Sequence, residues 1–336
     1  MVVTVHDVAA RSGVSIATVS RTLRVPHRVS GDTRDRVLAA IEELGYRPNR
    51  AAASLRRGRT GVIAFVVPDI ENPYFASLTK GAQAASRARG YGLVVVDTTE
   101  SAEVESEEIR ALRSQIDGII LVSSRLPDEQ LLEVAEGAVS VLINRDLGDR
   151  SPATPSVAID EAAASDAAVA HLAELGHRRL AYVGGPAHSW SQERRARGVR
   201  DAVAARPGLT LAELADVVPT AAGGRAVADA VLGGGVTAVL AYNDLVALGL
   251  LAEWGERGVR VPEDISLVGF DNTFVAELSS PLLTSVGTDL RDAGEAAVEL
   301  LLQRVEATDS DAPAAYRTLR PELVVRASTA PVRTAD

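Results

Sequence analysis

The sequence predicts an N-terminal all-α helix-turn-helix headpiece followed by an α/β two-lobed body, each lobe a doubly wound parallel sheet. Three observations carry this expectation. Short helical patterns punctuated by Gly13 and Gly45 fill residues 1–46. From Gly61 onward, continuous apolar runs alternate with helical stretches, as in parallel strands covered by helices on both faces. Charge is also unevenly divided. The first sixty residues hold eleven arginines and five acids, a net of +6, within a chain whose net charge is −10, so the remainder carries −16. A basic piece on an acidic body points to nucleic acid as the partner of the basic piece.

At 336 residues the chain is too long for one ordinary core. Apolar residues make up 46% and charged residues 24%, the balance of a globular protein rather than a disordered one. There is no cysteine, which excludes disulfides, thiolate metal sites and a cysteine nucleophile. His6 and Asp7 argue against a secretory signal, and no run approaches the ~20 apolar residues of a membrane span. A cytoplasmic protein that does not engage the membrane is expected.

In the headpiece, Thr4 can cap a helix with Asp7 three residues on, and Val5, Val8 and Ala9 form its apolar stripe. Gly13 suits the tight turn that ends it. Ser15 caps a second helix from Ile16 to about Leu23, with Val19 and Leu23 expected to face inward. Ser30 or Asp32 opens a third helix carrying Val37, Leu38, Ile41 and Leu44 and ending at Gly45. The spacing is that of a helix-turn-helix, whose second helix reads the major groove. Ile16, Ala17 and Arg21 are expected to point outward there, Arg21 toward guanine and Ile16 or Ala17 toward a thymine methyl. Ser15, Thr18, Ser20 and Thr33 suit phosphate contacts. A packing module without DNA is the plain alternative, opposed by the agreement of turn spacing and arginine excess.

These residues also carry a resemblance. Thr4-Val5-His6-Asp7-Val8-Ala9, Gly13-Val14-Ser15, Ala17-Thr18-Val19-Ser20-Arg21, Val29-Ser30 and Leu44-Gly45-Tyr46-Arg47-Pro48-Asn49 resemble the headpiece of the lactose-repressor/galactose-repressor (LacI-type) family. The resemblance extends DNA contact to Thr4, Val5, Arg24, Arg28, Val29 and Ser30. The loop Arg24-Val25-Pro26-His27-Arg28 departs from the family, which usually has Asn and Gly there. Residues 47–59 have Pro48 to start a helix and Gly58 to end it, but isolated helices under ~12–15 residues are marginal in water. The resemblance implies that this hinge orders on DNA, with Leu55 wedged into a central base step and Asn49 and Ala52 on the same face. A flexible arginine-rich linker is the expected state without DNA.

In the body, strands are expected at Val62–Val67, Leu93–Asp97, Gly118–Val122, Val139–Ile143, Val157–Ile159, Arg179–Val183, Ala238–Ala241, Ile265–Phe270 and Leu323–Ala327. Helices are expected at Tyr74–Arg89, Glu161–Leu175, Gln192–Ala204, Asp244–Arg257 and Leu290–Arg304. The chain thus divides into a headpiece (1–46), a hinge (47–59) and a body (60–330). The body has an N-subdomain, about 60–160 and 290–320, and a C-subdomain, about 161–289 and 321–330. Ligands bind beyond the carboxyl ends of parallel strands. That rule nominates Asp69, Asn72 to Phe75, Ser123, Ser124, Asn144 to Asp146, Gly184 to Pro186 with Trp190 and Arg195, Asn243, Asp244, Asp271 and Asn272. Carboxylates, amides, one arginine and aromatic rings suit a polyhydroxylated ligand.

The resemblance covers nearly the whole chain through Leu175-Gly176-His177, Gly198, Asn243-Asp244, Pro262-Glu263-Asp264-Ile265-Ser266 and Gly269-Phe270-Asp271. It implies a periplasmic-binding-protein-like body. By position, Tyr74, Phe75, Ser123, Asn144, Trp190, Arg195, Asn243 and Asp271 match effector contacts, Arg195 and Asp271 foremost. Each has a plainer reading: Asp271 and Asn243 as helix caps, Arg195 as a surface arginine. The implied function is sequence-specific transcriptional repression, controlled by a small-molecule effector of the sugar class. The partners are a pseudo-palindromic duplex, that effector and a second copy of the chain. No cofactor or metal is expected, since the five histidines lack ligand spacing. Gly233-Gly234-Gly235 is not followed by Gly-Lys-Ser/Thr, and no Gly-x-Ser-x-Gly elbow occurs. A two-lobed enzyme therefore lacks a catalytic set, and a transport solute-binding protein would not carry the helix-turn-helix. Residues 327–336 lack apolar heptads, so a dimer rather than a coiled-coil tetramer is expected.

Overall fold

The computed structural model of the protein describes residues 3–46, 59–307 and 315–333. The hinge residues Asn49, Ala52 and Leu55 lie outside the described residues, as does the side chain of Arg24. The chain divides into two compact units, Met1–Gly61 and Val62–Asp336.

The first unit contains α1 (Val5–Ser12), α2 (Ile16–Arg24) and α3 (Gly31–Leu44). The Asp7 carboxylate accepts from the backbone N–H and the hydroxyl of Thr4, at 2.8 and 2.7 Å, fixing the start of α1. Gly13 (φ 66°) and Gly45 (φ 60°) end α1 and α3 in the left-handed region that glycine tolerates. Ser15 accepts the Thr18 N–H at 3.2 Å and so caps α2. Ser30 stands at the N-cap of α3, settling the choice between it and Asp32. Val8, Ala9, Val19, Val37 and Ala40 form the core.

Three headpiece expectations need correction. Leu23 is 38% exposed and Leu38 is 46% exposed, so neither belongs to this core. Thr22 is buried in α2 instead, its hydroxyl donating to the Thr18 carbonyl at 2.9 Å. Ile16 does not stand clear of the surface; it is half-buried and packs on the core.

The body opens with β1 (Val62–Val67), α4 (Pro73–Ala88), β2 (Gly92–Asp97), α5 (Ala102–Leu112), β3 (Gly118–Val122), α6 (Asp128–Gly137), β4 (Ser140–Ile143) and β5 (Ser156–Ile159). It continues with α7 (Glu161–Glu174), β6 (Arg179–Val183), α8 (Trp190–Ala204), β7 (Thr210–Leu214), α9 (Ala221–Gly233), β8 (Ala238–Ala241), α10 (Asp244–Glu256), β9 (Ser266–Phe270) and β10 (Thr284–Gly287). It closes with α11 (Leu290–Glu306), β11 (Tyr316–Leu319) and β12 (Glu322–Val324). Among the described residues there are two six-stranded sheets, ordered β11-β5-β4-β3-β1-β2 and β12-β10-β9-β8-β6-β7. Every pairing is parallel except β10 with β12. The chain therefore passes between lobes after β5, after β10 and after β11.

Three strands have no counterpart in the sequence reading. The edge strands β7 and β11 are mostly exposed, so neither shows an apolar run. β10 is fully buried yet reads Thr-Ser-Val-Gly, because hydrogen bonds satisfy its hydroxyls. The final strand is shorter than expected, since Arg326 to Ser328 leave the ladder to bond Leu283, Thr284 and Leu267. In the N lobe, α4 and α11 cross closely at two glycines. A Cβ on Gly81 would lie 2.0 Å from the Arg291 carbonyl oxygen, and one on Gly294 would lie 2.1 Å from that of Leu78.

Candidate functional site

The loops after β1, β2, β3 and β4 face those after β7, β8 and β9 and the first turns of α8, and together they line one cleft. Seven of the eight nominated residues lie on its wall: Tyr74, Phe75, Ser123 and Asn144 from the N lobe, and Arg195, Asn243 and Asp271 from the C lobe. Trp190 does not; it borders a separate depression. Left-handed backbone at Ser123 (φ 45°), Asn144 (φ 50°) and Asp271 (φ 95°) turns these three side chains at their strand ends. The space enclosed is about 30 Å³, far below the ~300–1,000 Å³ of small-molecule pockets. A ligand of monosaccharide size therefore requires the lining side chains or the lobes to shift.

Arg195 is buried rather than a surface arginine. Its Nε and Nη2 donate to the two Glu161 oxygens at 2.8 Å each, and Nη1 donates to the Tyr242 carbonyl. Its guanidinium carbon lies 4.4 Å from the centroid of the Phe270 ring and 5.3 Å from that of Tyr242. Its Nη2 is 3.7 Å from Asp271 Oδ1. Asp271 is not a helix cap, because Thr273 takes that position before the turn Phe274–Glu277. Burial pushes the Asp271 carboxyl above the usual carboxylate range, to about 8; Arg195 pulls it down, and the charges of Asp244 and Glu161 push it up. Asn243, by contrast, does cap: its Oδ1 accepts the Val246 N–H at 2.8 Å and its Nδ2 donates to the Pro219 carbonyl at 3.0 Å. On the other wall, Asn144 Nδ2 donates to the Tyr74 hydroxyl, while its Oδ1 accepts the Ile159 N–H at 3.3 Å. Burial raises the Tyr74 phenol far out of its ordinary range, so it stays protonated.

Glu100, Arg125, Ser191, Pro219 and Tyr242 also line this wall, none of them nominated from the sequence. Glu100 pairs with the buried Arg125 at 2.6 Å, and Arg125 Nη1 donates to the Ser123 carbonyl at 2.8 Å. The same strand-end rule, applied after β2, would have found Glu100. Nothing in the sequence marks Arg125, whose burial depends on a partner in another loop.

In the headpiece, Ala17 and Arg21 are exposed one turn apart on α2, with Ser20 half-buried beside them. The Ser15 and Thr18 hydroxyls lie 2.9 Å apart, as do those of Ser30 and Thr33. Thr4, Arg28 and Ser30 are exposed, and Val5, Val29 and Thr33 are half-buried. Asn49, Ala52 and Leu55 cannot be placed against this face, lying outside the described residues.

Residues 4–49 match the family described as bacterial regulatory proteins, lacI family, and residues 169–329 match the periplasmic binding protein-like domain. The HTH-type transcriptional regulator DegA of Bacillus subtilis (strain 168) is 32% identical, over 99% of this chain and 100% of that protein. The chain belongs to the LacI family. Two solved structures agree with that membership. The Lac repressor dimer bound to operator and the anti-inducer ONPF has a TM-score of 0.86 and 28% identity, covering 98% of this chain and 100% of that one. The transcriptional regulator CelR–cellobiose complex has a TM-score of 0.71 and 32% identity, covering 97% and 99%. This LacI-family protein is a DNA-binding transcriptional regulator, not an enzyme. Among the described residues no group of side chains could hold a metal ion, and no helix is long and apolar enough to cross a membrane.

Proposed function

We propose that this regulator represses transcription from the cytoplasm as a homodimer on a pseudo-palindromic operator, and that a sugar in the cleft sets its grip on DNA. The observation that carries the effector reading is the pair Arg195–Asp271. Glu161 and the Tyr242 carbonyl fix the arginine, while Asp271 accepts no hydrogen bond among the described residues. A buried carboxyl whose oxygens accept no hydrogen bond suits a ligand rich in hydroxyl donors, which would favour its ionised form beside the Arg195 guanidinium. Phe75 and Tyr74 on the opposite wall meet edge to face, with centroids 5.1 Å apart, and offer an apolar surface to a sugar ring. The bound cellobiose of the CelR complex is of the same chemical class.

Ligand bound between the lobes sets their separation, and the three crossings carry that change to the positions of the two headpieces in a dimer. Coupling of this kind is typically ~1–3 kcal/mol and reciprocal, so operator DNA also changes sugar affinity. For the dimer, the body offers the exposed β2 edge with Val94 and Val95, each 38% exposed, and the exposed Phe274, Leu278 and Leu282. On DNA, Arg21 and Ala17 read base edges while Ser15, Thr18, Ser20, Ser30 and Thr33 hold phosphates. Calorimetric titration with mono- and disaccharides tests the cleft. Binding by the parent chain that weakens at least tenfold in Asp271→Asn supports it; unchanged binding in that variant removes it.

A further inference from the structure

Trp190 stands outside the effector cleft, and its surroundings have a chemistry of their own. The chain has two tryptophans. Trp254 is fully buried in the C-lobe core, whereas Trp190 is half-buried at the start of α8. The indole borders a depression of about 380 Å³, within the ~300–1,000 Å³ range of small-molecule sites. This depression spans both lobes. Trp190 and Arg194 come from the C lobe, Asp146 and Thr318 from the N lobe, and Asp160 from the first crossing.

The wall is arranged as a platform with acceptors around it. The Arg194 guanidinium carbon lies 4.5 Å from the Trp190 ring centroid, and no carboxylate pairs with Arg194 among the described residues. Asp146 and Asp160 each commit Oδ1 to a local backbone N–H, of Gly148 at 2.7 Å and of Ala163 at 3.0 Å. Their Oδ2 atoms accept no hydrogen bond among the described residues. Thr318 adds an exposed hydroxyl from β11.

We propose that this depression is a second ligand site, for a cyclic polyol of monosaccharide size. The C–H face of the ring packs against the part of the indole that Arg194 leaves uncovered, two hydroxyls donate to Asp146 and Asp160, and Arg194 donates to a ring or hydroxyl oxygen. Two observations separate it from the cleft. No residue lines both, and Glu161 on the wall of the depression has both carboxylate oxygens committed to Arg195, which lines the cleft. A ligand here touches both lobes beside the first crossing and β11, so its contacts change when the lobes move. Occupancy therefore alters cleft affinity, by a factor on the order of 5–150, and the cleft ligand alters its own affinity equally.

The test is calorimetric titration of the full chain with D-glucose, D-galactose and D-ribose to millimolar concentration, alongside Trp190 emission. At least one sugar is expected to bind at two sites per chain in the parent. One site is expected in Trp190→Ala and in Asp146→Asn, the latter a conservative change at a half-buried loop residue. In Asp271→Asn one site is also expected, with the Trp190 emission response retained. Stoichiometry unchanged from the parent in both Trp190→Ala and Asp146→Asn overturns the proposal. Loss of all binding in Trp190→Ala, with none lost in Asp271→Asn, would keep this site and remove the cleft reading instead.

Discussion

Asp271 gives the cleft its pH dependence. Its carboxyl titrates near 3.8 when exposed and at about 8 in the folded chain. The folded state holds the proton through that interval, so stability is full below it and falls as pH rises through it. Asp271→Asn removes the titration. In thermal melts the variant should exceed the parent by a few degrees above pH 8, and the gap should close as pH falls toward ~4. A gap independent of pH would place the strain elsewhere. A sugar hydroxyl donated to this group favours the ionised form, so binding should release protons and tighten toward alkaline pH. The Arg195–Glu161 pair makes a different demand. Both side chains are about 95% buried, with bidentate geometry. Arg195→Met leaves Glu161 buried and unpaired and should destabilise by ~3–5 kcal/mol in urea unfolding. Adding Glu161→Gln should recover part of that loss; strict additivity would mean that the two do not depend on each other.

At the scale of elements, the N lobe depends on the crossing of α4 and α11. Gly294→Ala puts a methyl 2.1 Å from the Leu78 carbonyl oxygen, which lies in a helix and cannot swing aside. A loss of ~1–3 kcal/mol is expected, read as a lower urea midpoint at unchanged slope. A neutral result would show that the helices separate freely. That crossing also shows where a sequence is legible. The central strands β1, β3, β6, β8 and β9 are apolar on both faces and stand out in the sequence. The helices α4, α7, α8, α10 and α11 are marked by caps at Asn72, Asp160, Ser189, Asn243 and Asp289. The edge strands β7 and β11 pair on one side only and keep polar, solvent-facing residues, so periodicity gives no signal. Seven cleft residues were legible because a strand end fixes its loop in space. Glu100–Arg125 was not, since that pair is made between two loops, and Trp190 was misplaced by one residue, because Ser191, four residues before Arg195, shares its face of α8 and Trp190 does not.

In the whole molecule, a basic headpiece precedes an acidic two-lobed body whose cleft encloses about 30 Å³. A sugar can act on DNA only by binding the open and closed arrangements differently. The direct measurement is fluorescence anisotropy of the full chain on labelled duplexes carrying pseudo-palindromic half-sites, at several salt concentrations, with and without the sugars that bind the cleft. Salt-sensitive binding with a preference among duplexes is expected. A cleft sugar should shift that affinity, and Arg21→Ala should lose ~1–3 kcal/mol by relaxing the preference at one base position. Equal affinity for every duplex, unmoved by any sugar and by Arg21→Ala, would contradict these expectations.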